Sequence, residues 1–151
     1  MGQSLVHNYI HIVFSVKHRK KLLDSDVRPG LFAYLAGICS KNNSHALVIG
    51  GYLDHVHILC NLSKNISLKD FLQELKVASS IWMKSQGPKY AQFFWQGGYG
   101  AFSVGQSELE RVKRYITNQE SHHQKKTFRE EYLELLDSNN LDYDLQYLFK
   151  D

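Results

Sequence analysis

Residues 54–57 read Asp-His-Val-His, within the run GGYLDHVHILCNL. In a strand, residues two apart point to the same side. His55 and His57 therefore share one face, and Val56, Ile58 and Cys60 share the other. Two imidazoles at this separation can bind one divalent ion as neutral ligands. Such a pair is also common as hydrogen-bonded polar surface, and two histidines alone leave a metal site incomplete. The stretch ELERVKRYITNQESHHQKK is the best source of a third ligand. On a helix, Tyr115 and Gln119 lie one above the other, with Asn118 and His122 flanking the same stripe. A phenol, two amides and an imidazole make a poor core. The plain alternative is an exposed polar helix face. The two incomplete sets would complete each other, which favours chemistry.

Both sets need elements to hold them. Val6 to Val16 alternates, with Val6, Ile10, Ile12, Phe14 and Val16 apolar and His7, Tyr9, His11 and Ser15 more polar, so a strand with one buried face is expected. A helix is expected from Asp26 to Lys41, with Pro29 in its first turn. His45 to Gly51 and His55 to Leu62 read as a hairpin turning at Gly50, Gly51 and Asp54. Ser67 to Ser85 reads as an amphipathic helix stopped by Gly87-Pro88. Phe93 to Val104 reads as a strand with a bulge at Gly97-Gly98. Ser107 and Glu110 form a capping-box pattern for one helix running to Lys125. A short helix and a docked tail should follow. The order βαββαβ plus a helix predicts an α+β, ferredoxin-like antiparallel sheet with helices on one face, the other face staying open. One domain over residues 1–151 is expected, with a body over 1–126 and an acidic helix and tail over 127–151.

Composition is ordinary for a globular chain, with 43% apolar and 22% charged residues. No apolar run is long enough to cross a bilayer, so no membrane role is expected. The basic residues follow the first apolar run, the reverse of a secretory signal, and Gly2 lacks the myristoylation pattern. Cys39 and Cys60 have no metal-ligand spacing, and reduced thiols in the cytoplasm are expected. The net charge of +3 is unevenly spread. Through Arg129 there are 17 Lys/Arg against 8 Asp/Glu; from Glu130 on, one lysine faces seven acids. The basic body suggests a polyanionic partner, although a mixed, solvated surface would look similar.

His55-Val56-His57 matches the histidine–hydrophobic–histidine, or HUH, motif. Tyr115-Ile116-Thr117-Asn118-Gln119, running on into Glu120-Ser121-His122-His123, resembles the nucleophile-bearing helix of single-tyrosine HUH transposases. These include the TnpA-type insertion-sequence transposases and the REP-associated tyrosine transposases. YIHIVFSVKHRKKLL and FFWQGGYGAFSV look like the same family, so the resemblance covers nearly the whole chain. The resemblance implies Tyr115 as nucleophile, with His55, His57 and Gln119 as ligands of Mg²⁺ or Mn²⁺. It implies single-stranded DNA with hairpin ends as substrate, a covalent 5′-phosphotyrosine intermediate, and a homodimer in which the tyrosine helix of one protomer can complete the metal site of the other, with use of Tyr115 in cis or in trans left open.

Around that centre, His122 and Asn118 are candidate helpers. Lys17, Arg19, Lys20, Lys113 and Arg114 are candidate DNA-binding residues. Tyr9 and His11 could stack on bases, although cross-strand packing is the plainer use. Asp54 reads first as a turn residue and second as a partner for a metal-bound histidine. Trp82 and Trp95 read as core, and Tyr99 is the rival nucleophile. Two other functions fit the same fold: a non-catalytic single-stranded DNA or RNA binder, and a hydrolytic metallonuclease in which Tyr115 is incidental.

Overall fold

The computed structural model describes residues 2–151. Its sheet is built from β1 (Tyr9–Ser15), β2 (Ala46–Gly51), β3 (His55–Asn61) and β4 (Gly100–Ser103) in the order β2-β3-β1-β4. All three pairings are antiparallel. This is the expected ferredoxin-like order, with the histidine strand at the centre beside β1.

The alternation in β1 and β3 decides which side meets which helices. Ile12, Phe14, Val56, Ile58 and Cys60 point to one face, where α1 (Arg28–Lys41) and α2 (Leu68–Lys84) complete the main core with Leu31, Leu35, Phe71 and Leu75. Trp95 is buried there, and its indole N–H donates to Ser79 Oγ at 2.9 Å. Trp82 is partly buried against the same core. Ser67 caps α2, its hydroxyl accepting from the Asp70 amide at 3.1 Å.

The other face is not open. α3 (Leu109–Thr117), α4 (Gln119–His123) and α5 (Phe128–Ser138) cover it. α3 sets Leu109, Val112 and Ile116 against Leu59 of β3. α5 sets Phe128, Tyr132 and Leu136 against Val13 and Phe102. Val13 is the apolar break in the polar side of β1, and this second core explains it. The stretch that reads as an acidic tail supplies its largest side chains, and only the short α6 (Leu145–Leu148) and the last residues lie beyond it.

Other boundaries also differ from the sequence expectation. Gly50 and Gly51 are strand residues, and neither has room for a side chain: Gly51 lies against the His55 carbonyl across the hairpin, and Gly50 lies under α3. A Cβ at Gly50 would stand 2.3 Å from the Ile116 carbonyl oxygen. The fourth strand is short, and Trp95 reaches β1's end only as an isolated bridge to Val16. The helix expected over 107–125 begins at Leu109 and breaks at Asn118 (φ −93°, ψ 19°). Ser107 lies in a 3-10 turn instead of capping it. Among the described residues, no helix is long and apolar enough to cross a membrane.

Asp24 ties the entry of α1 to the segment after α2. Its carboxylate accepts from Lys89 Nζ at 2.5 Å, from the Tyr90 hydroxyl at 2.8 Å and from the Val27 amide at 3.2 Å. The Lys89 hydrogen bond, outweighing partial desolvation, holds the Asp24 pKa below its usual range. A depressed carboxylate pKa contributes stability above the unfolded value, and that stability is lost as pH falls through the folded one. Asp24→Asn should therefore lower the melting temperature at pH 7. Thermal melts should show the gap to wild type narrowing as pH drops below ~4.

Candidate active site

β3 delivers His55 and His57 to the second face, and both rings are fully buried beneath the C-terminal helices. Each has its outer nitrogen engaged. Asp54 Oδ1 lies 2.8 Å from His55 Nδ1, so a carboxylate accepts from that ring. His57 Nδ1 lies 2.8 Å from His11 Nε2, contributed by β1. Both Nε2 atoms turn inward. Burial, then the neighbouring His57, pushes the His11 pKa down to about 3, so this imidazole is neutral. Burial likewise lowers the pKa of His57.

Tyr115 and Gln119 arrive on the same face despite the break at Asn118. Gln119 is 1% exposed, and its Oε1 faces His55 Nε2 at 2.9 Å. Its amide nitrogen donates to the Tyr115 carbonyl at 3.3 Å. The Tyr115 ring stands edge-on to His57, with centroids 5.7 Å apart. One chain thus brings the phenol, the amide and both imidazoles together. His122 joins them, its ring centroid 5.6 Å from that of Tyr115. Asn118 does not join, because its side chain is exposed at the break.

The residue that reading the sequence missed is Glu131 of α5, which is 1% exposed. Its Oε1 accepts from His57 Nε2 at 3.0 Å and lies 3.0 Å from His123 Nε2 and 3.5 Å from His55 Nε2. Its Oε2 accepts from the Tyr115 hydroxyl and lies 3.5 Å from His122 Nε2. Burial opposes this charge, but His123 and His57 outweigh it and hold the Glu131 pKa well below the carboxylate range. Burial and then the Glu131 charge raise the Tyr115 pKa, so the resting phenol keeps its proton. The sequence did carry a signal. Glu131 lies three residues from Phe128 and four from Leu135, inside the apolar stripe of its own helix.

The donor set fits a divalent cation. His55, His57 and Glu131 present one ligand atom each, all within 4.8 Å of one another. His122 Nε2 and His123 Nε2 are buried with no hydrogen-bond partner. Imidazole nitrogen and carboxylate oxygen together suit Mn²⁺ well and also accept Mg²⁺.

A cavity of about 280 Å³ opens beside the phenol, lined by His11, Phe102, Arg111, Tyr115, Leu135 and other residues. The basic candidates fare differently. Lys20 and Arg114 are exposed, and Lys17 and Lys113 partly so. Lys113 pairs with Glu110 at 3.2 Å. Arg19 is committed to the chain's own end, donating to Asp151 at 2.9 Å and to the Phe149 carbonyl at 3.0 Å. Tyr99 sits at the surface, with Lys76 Nζ 5.9 Å from its ring centroid.

The chain is similar to known proteins. A family model described as IS200-like transposase matches residues 4–119. The ISDra2 transposase TnpA of Deinococcus radiodurans is 28% identical over 114 residues, covering 72% of this chain and 81% of that one. The transposase of insertion element IS200 from Salmonella typhimurium is 29% identical over 114 residues, covering 72% and 74%. A crystal structure of a transposase from Deinococcus radiodurans superposes with a TM-score of 0.61 at 26% identity, covering 79% of this chain and 96% of that one. A REP-associated tyrosine transposase bound to a REP hairpin superposes with a TM-score of 0.60, covering 82% and 73%; at 11% identity this likeness shows the fold alone. The family match takes in His55, His57, Tyr115 and Gln119 and stops short of His123 and Glu131. Running from before the first strand to Gln119, it shows that the chain belongs to the IS200-like transposase family.

Proposed function

We propose that this chain cleaves and rejoins single-stranded DNA with hairpin ends through a covalent 5′-phosphotyrosine at Tyr115. The observation that carries this is the phenol held beside two buried imidazoles, with its hydroxyl donating to a buried carboxylate. His55, His57 and Gln119 would hold Mg²⁺ or Mn²⁺, which when bound would withdraw charge from a phosphodiester oxygen. The Tyr115 oxygen bonds to phosphorus as the bond from phosphorus to the 3′ oxygen breaks. The phenolic proton leaves toward Glu131 Oε2, and the departing 3′ oxygen, in line on the far side of phosphorus, takes its proton from solvent. The phosphotyrosine keeps the bond energy, so a second 3′-hydroxyl can reverse the step and join strands.

The chain's other groups serve this reaction. Asp54 fixes the His55 ring and His11 the His57 ring. The cavity beside Tyr115 admits the scissile phosphate, with Arg111 at its wall. Lys17, Lys20, Lys113 and Arg114 would hold flanking phosphates. Arg19 would do so only once Asp151 releases it. Two chains would form a homodimer, and because one chain already unites Tyr115 with His55 and His57, we assign the resting site to a single protomer.

The test uses labelled single-stranded DNA with Mn²⁺. A denaturant-stable protein–DNA adduct that disappears in Tyr115→Phe supports the proposal. Cleavage with no adduct would point to a hydrolytic metallonuclease, and binding with no cleavage to a non-catalytic module; either result defeats it.

A further inference from the structure

In the run FFWQ, Phe93 and Trp95 are buried in the main core, whereas Phe94 between them is 50% exposed. A single exposed phenylalanine is ordinary. This one is held still and ringed by cations. Its carbonyl accepts from the Lys17 amide at 2.8 Å, and the next residue, Trp95, bridges to Val16. Phe93 and Trp95 lock together edge to face, with centroids 4.8 Å apart. The Phe94 ring is therefore a fixed surface, not a loose side chain.

Lys84 Nζ lies 4.1 Å and Lys17 Nζ 5.8 Å from the Phe94 ring centroid. Phe94 and Lys17 line a cavity of about 290 Å³ together with His18, Lys20 and Gln92. Among the described residues, Lys17, Lys20 and Lys84 form no ion pair, whereas His18 and Arg19 are taken by Asp151. The cavity starts at the end of the sheet that holds the imidazoles. Ser15 is the register partner of His55, the Val16 amide donates to the Asp54 carbonyl at 2.8 Å, and Lys17 comes next.

Unpaired ammonium groups around a fixed aromatic face match the two surfaces of a single strand, its phosphates and its bare base planes. A duplex hides those planes. A cation over an exposed ring is held more weakly than a base stacked on it, so a base can displace Lys84 and leave that lysine to a phosphate. We infer that Phe94 is a stacking platform for one unpaired nucleobase, with Lys17, Lys20 and Lys84 on the phosphates beside it. This rests on the single-stranded DNA reading above and adds a base contact to a surface so far assigned phosphates alone. Stacking uses the face that every base has, so the site tolerates any base.

Fluorescence anisotropy of a labelled oligothymidylate tests this, in chelator so that no cleavage intervenes. Phe94→Ala should weaken binding by about tenfold or more, and Phe94→Trp should restore it. Phe94→Leu, which keeps an apolar side chain without a ring, should bind as weakly as Phe94→Ala and guards against a folding artefact. Val77→Ala, at an exposed position of α2, should leave binding unchanged. An abasic sugar–phosphate strand of the same length should bind wild type and Phe94→Ala alike. Salt titration separates the two kinds of contact: Lys17→Gln and Lys84→Gln should each flatten the slope of log K against log salt by about 0.7, and Phe94→Ala should not change it. Affinity of Phe94→Ala or Phe94→Leu within twofold of wild type overturns the assignment. So do equal losses on thymidylate and abasic strands, or a wild type that does not bind oligothymidylate. Failure of the strand-transfer reading looks different. In that case oligothymidylate binds through Phe94 and no Tyr115 adduct forms with Mn²⁺.

Discussion

Replacing Tyr115 with phenylalanine is expected to abolish the protein–DNA adduct and strand cleavage together, leaving a folded protein that still binds single-stranded DNA. The change deletes one oxygen. The ring keeps its edge-on packing against His11, His57 and His122, at centroid distances of 6.2, 5.7 and 5.6 Å. What is lost besides the nucleophile is the hydrogen bond to Glu131 Oε2. Leaving a buried acceptor short of one donor costs about 1–3 kcal/mol. A domain of this size has roughly 5–15 kcal/mol to lose, so most molecules stay folded. Glu131 also keeps its partners on Oε1, which limits the damage. Melting curves and a denaturing gel on the same preparation separate the two effects. Cleavage surviving in Tyr115→Phe would mean that water, not the phenol, attacks phosphorus.

The residues at the centre of this prediction were legible because their patterns are local. Period-two alternation put His55 and His57 on one face of β3 and the apolar residues on the other, and the packing of both faces follows that parity. The four-residue spacing of Tyr115 and Gln119 survived the helix break, since the Gln119 amide still reaches the Tyr115 carbonyl. What could not be read depends on contacts across the chain. Glu131 stands among other acids; its place in the apolar stripe marks it for burial, but which partners would offset its charge is set by contacts from β3 and α4 that no local pattern shows. The supposed open face followed from counting only the two crossover helices. Phe128, Tyr132 and Leu136 needed a surface, and the uncovered side of the sheet was the available one. Asp54 sits in the bend between β2 and β3, and its carboxylate also reaches the ring of the next residue, so both readings offered for it hold.

The same long-range logic makes Gly50→Ala the second large effect expected. Position 50 lies in β2, under the end of α3, and no positive φ forces glycine there. The constraint is the helix overhead. An alanine Cβ would sit 2.3 Å from the Ile116 carbonyl oxygen and 2.9 Å from Ile116 Cγ2. The nearer atom is backbone, so no rotamer change relieves the clash, and α3 must retreat by about 1 Å to reach ordinary contact. Ile116 is fully buried between this strand and its neighbours, so the retreat opens the packing around Leu59 and Val112 as well. Forcing a methyl into such a site costs about 1–3 kcal/mol. The catalytic penalty should be larger, because Tyr115 is the adjacent residue and moves with the helix while His55 and His57 stay in β3. A displacement of this size at a reacting group can lower the rate by about 10²-fold. Adduct formation per folded molecule should therefore fall by about that factor. An adduct rate within a few-fold of wild type, at an unchanged melting temperature, would show that α3 does not need this close seat to aim its phenol.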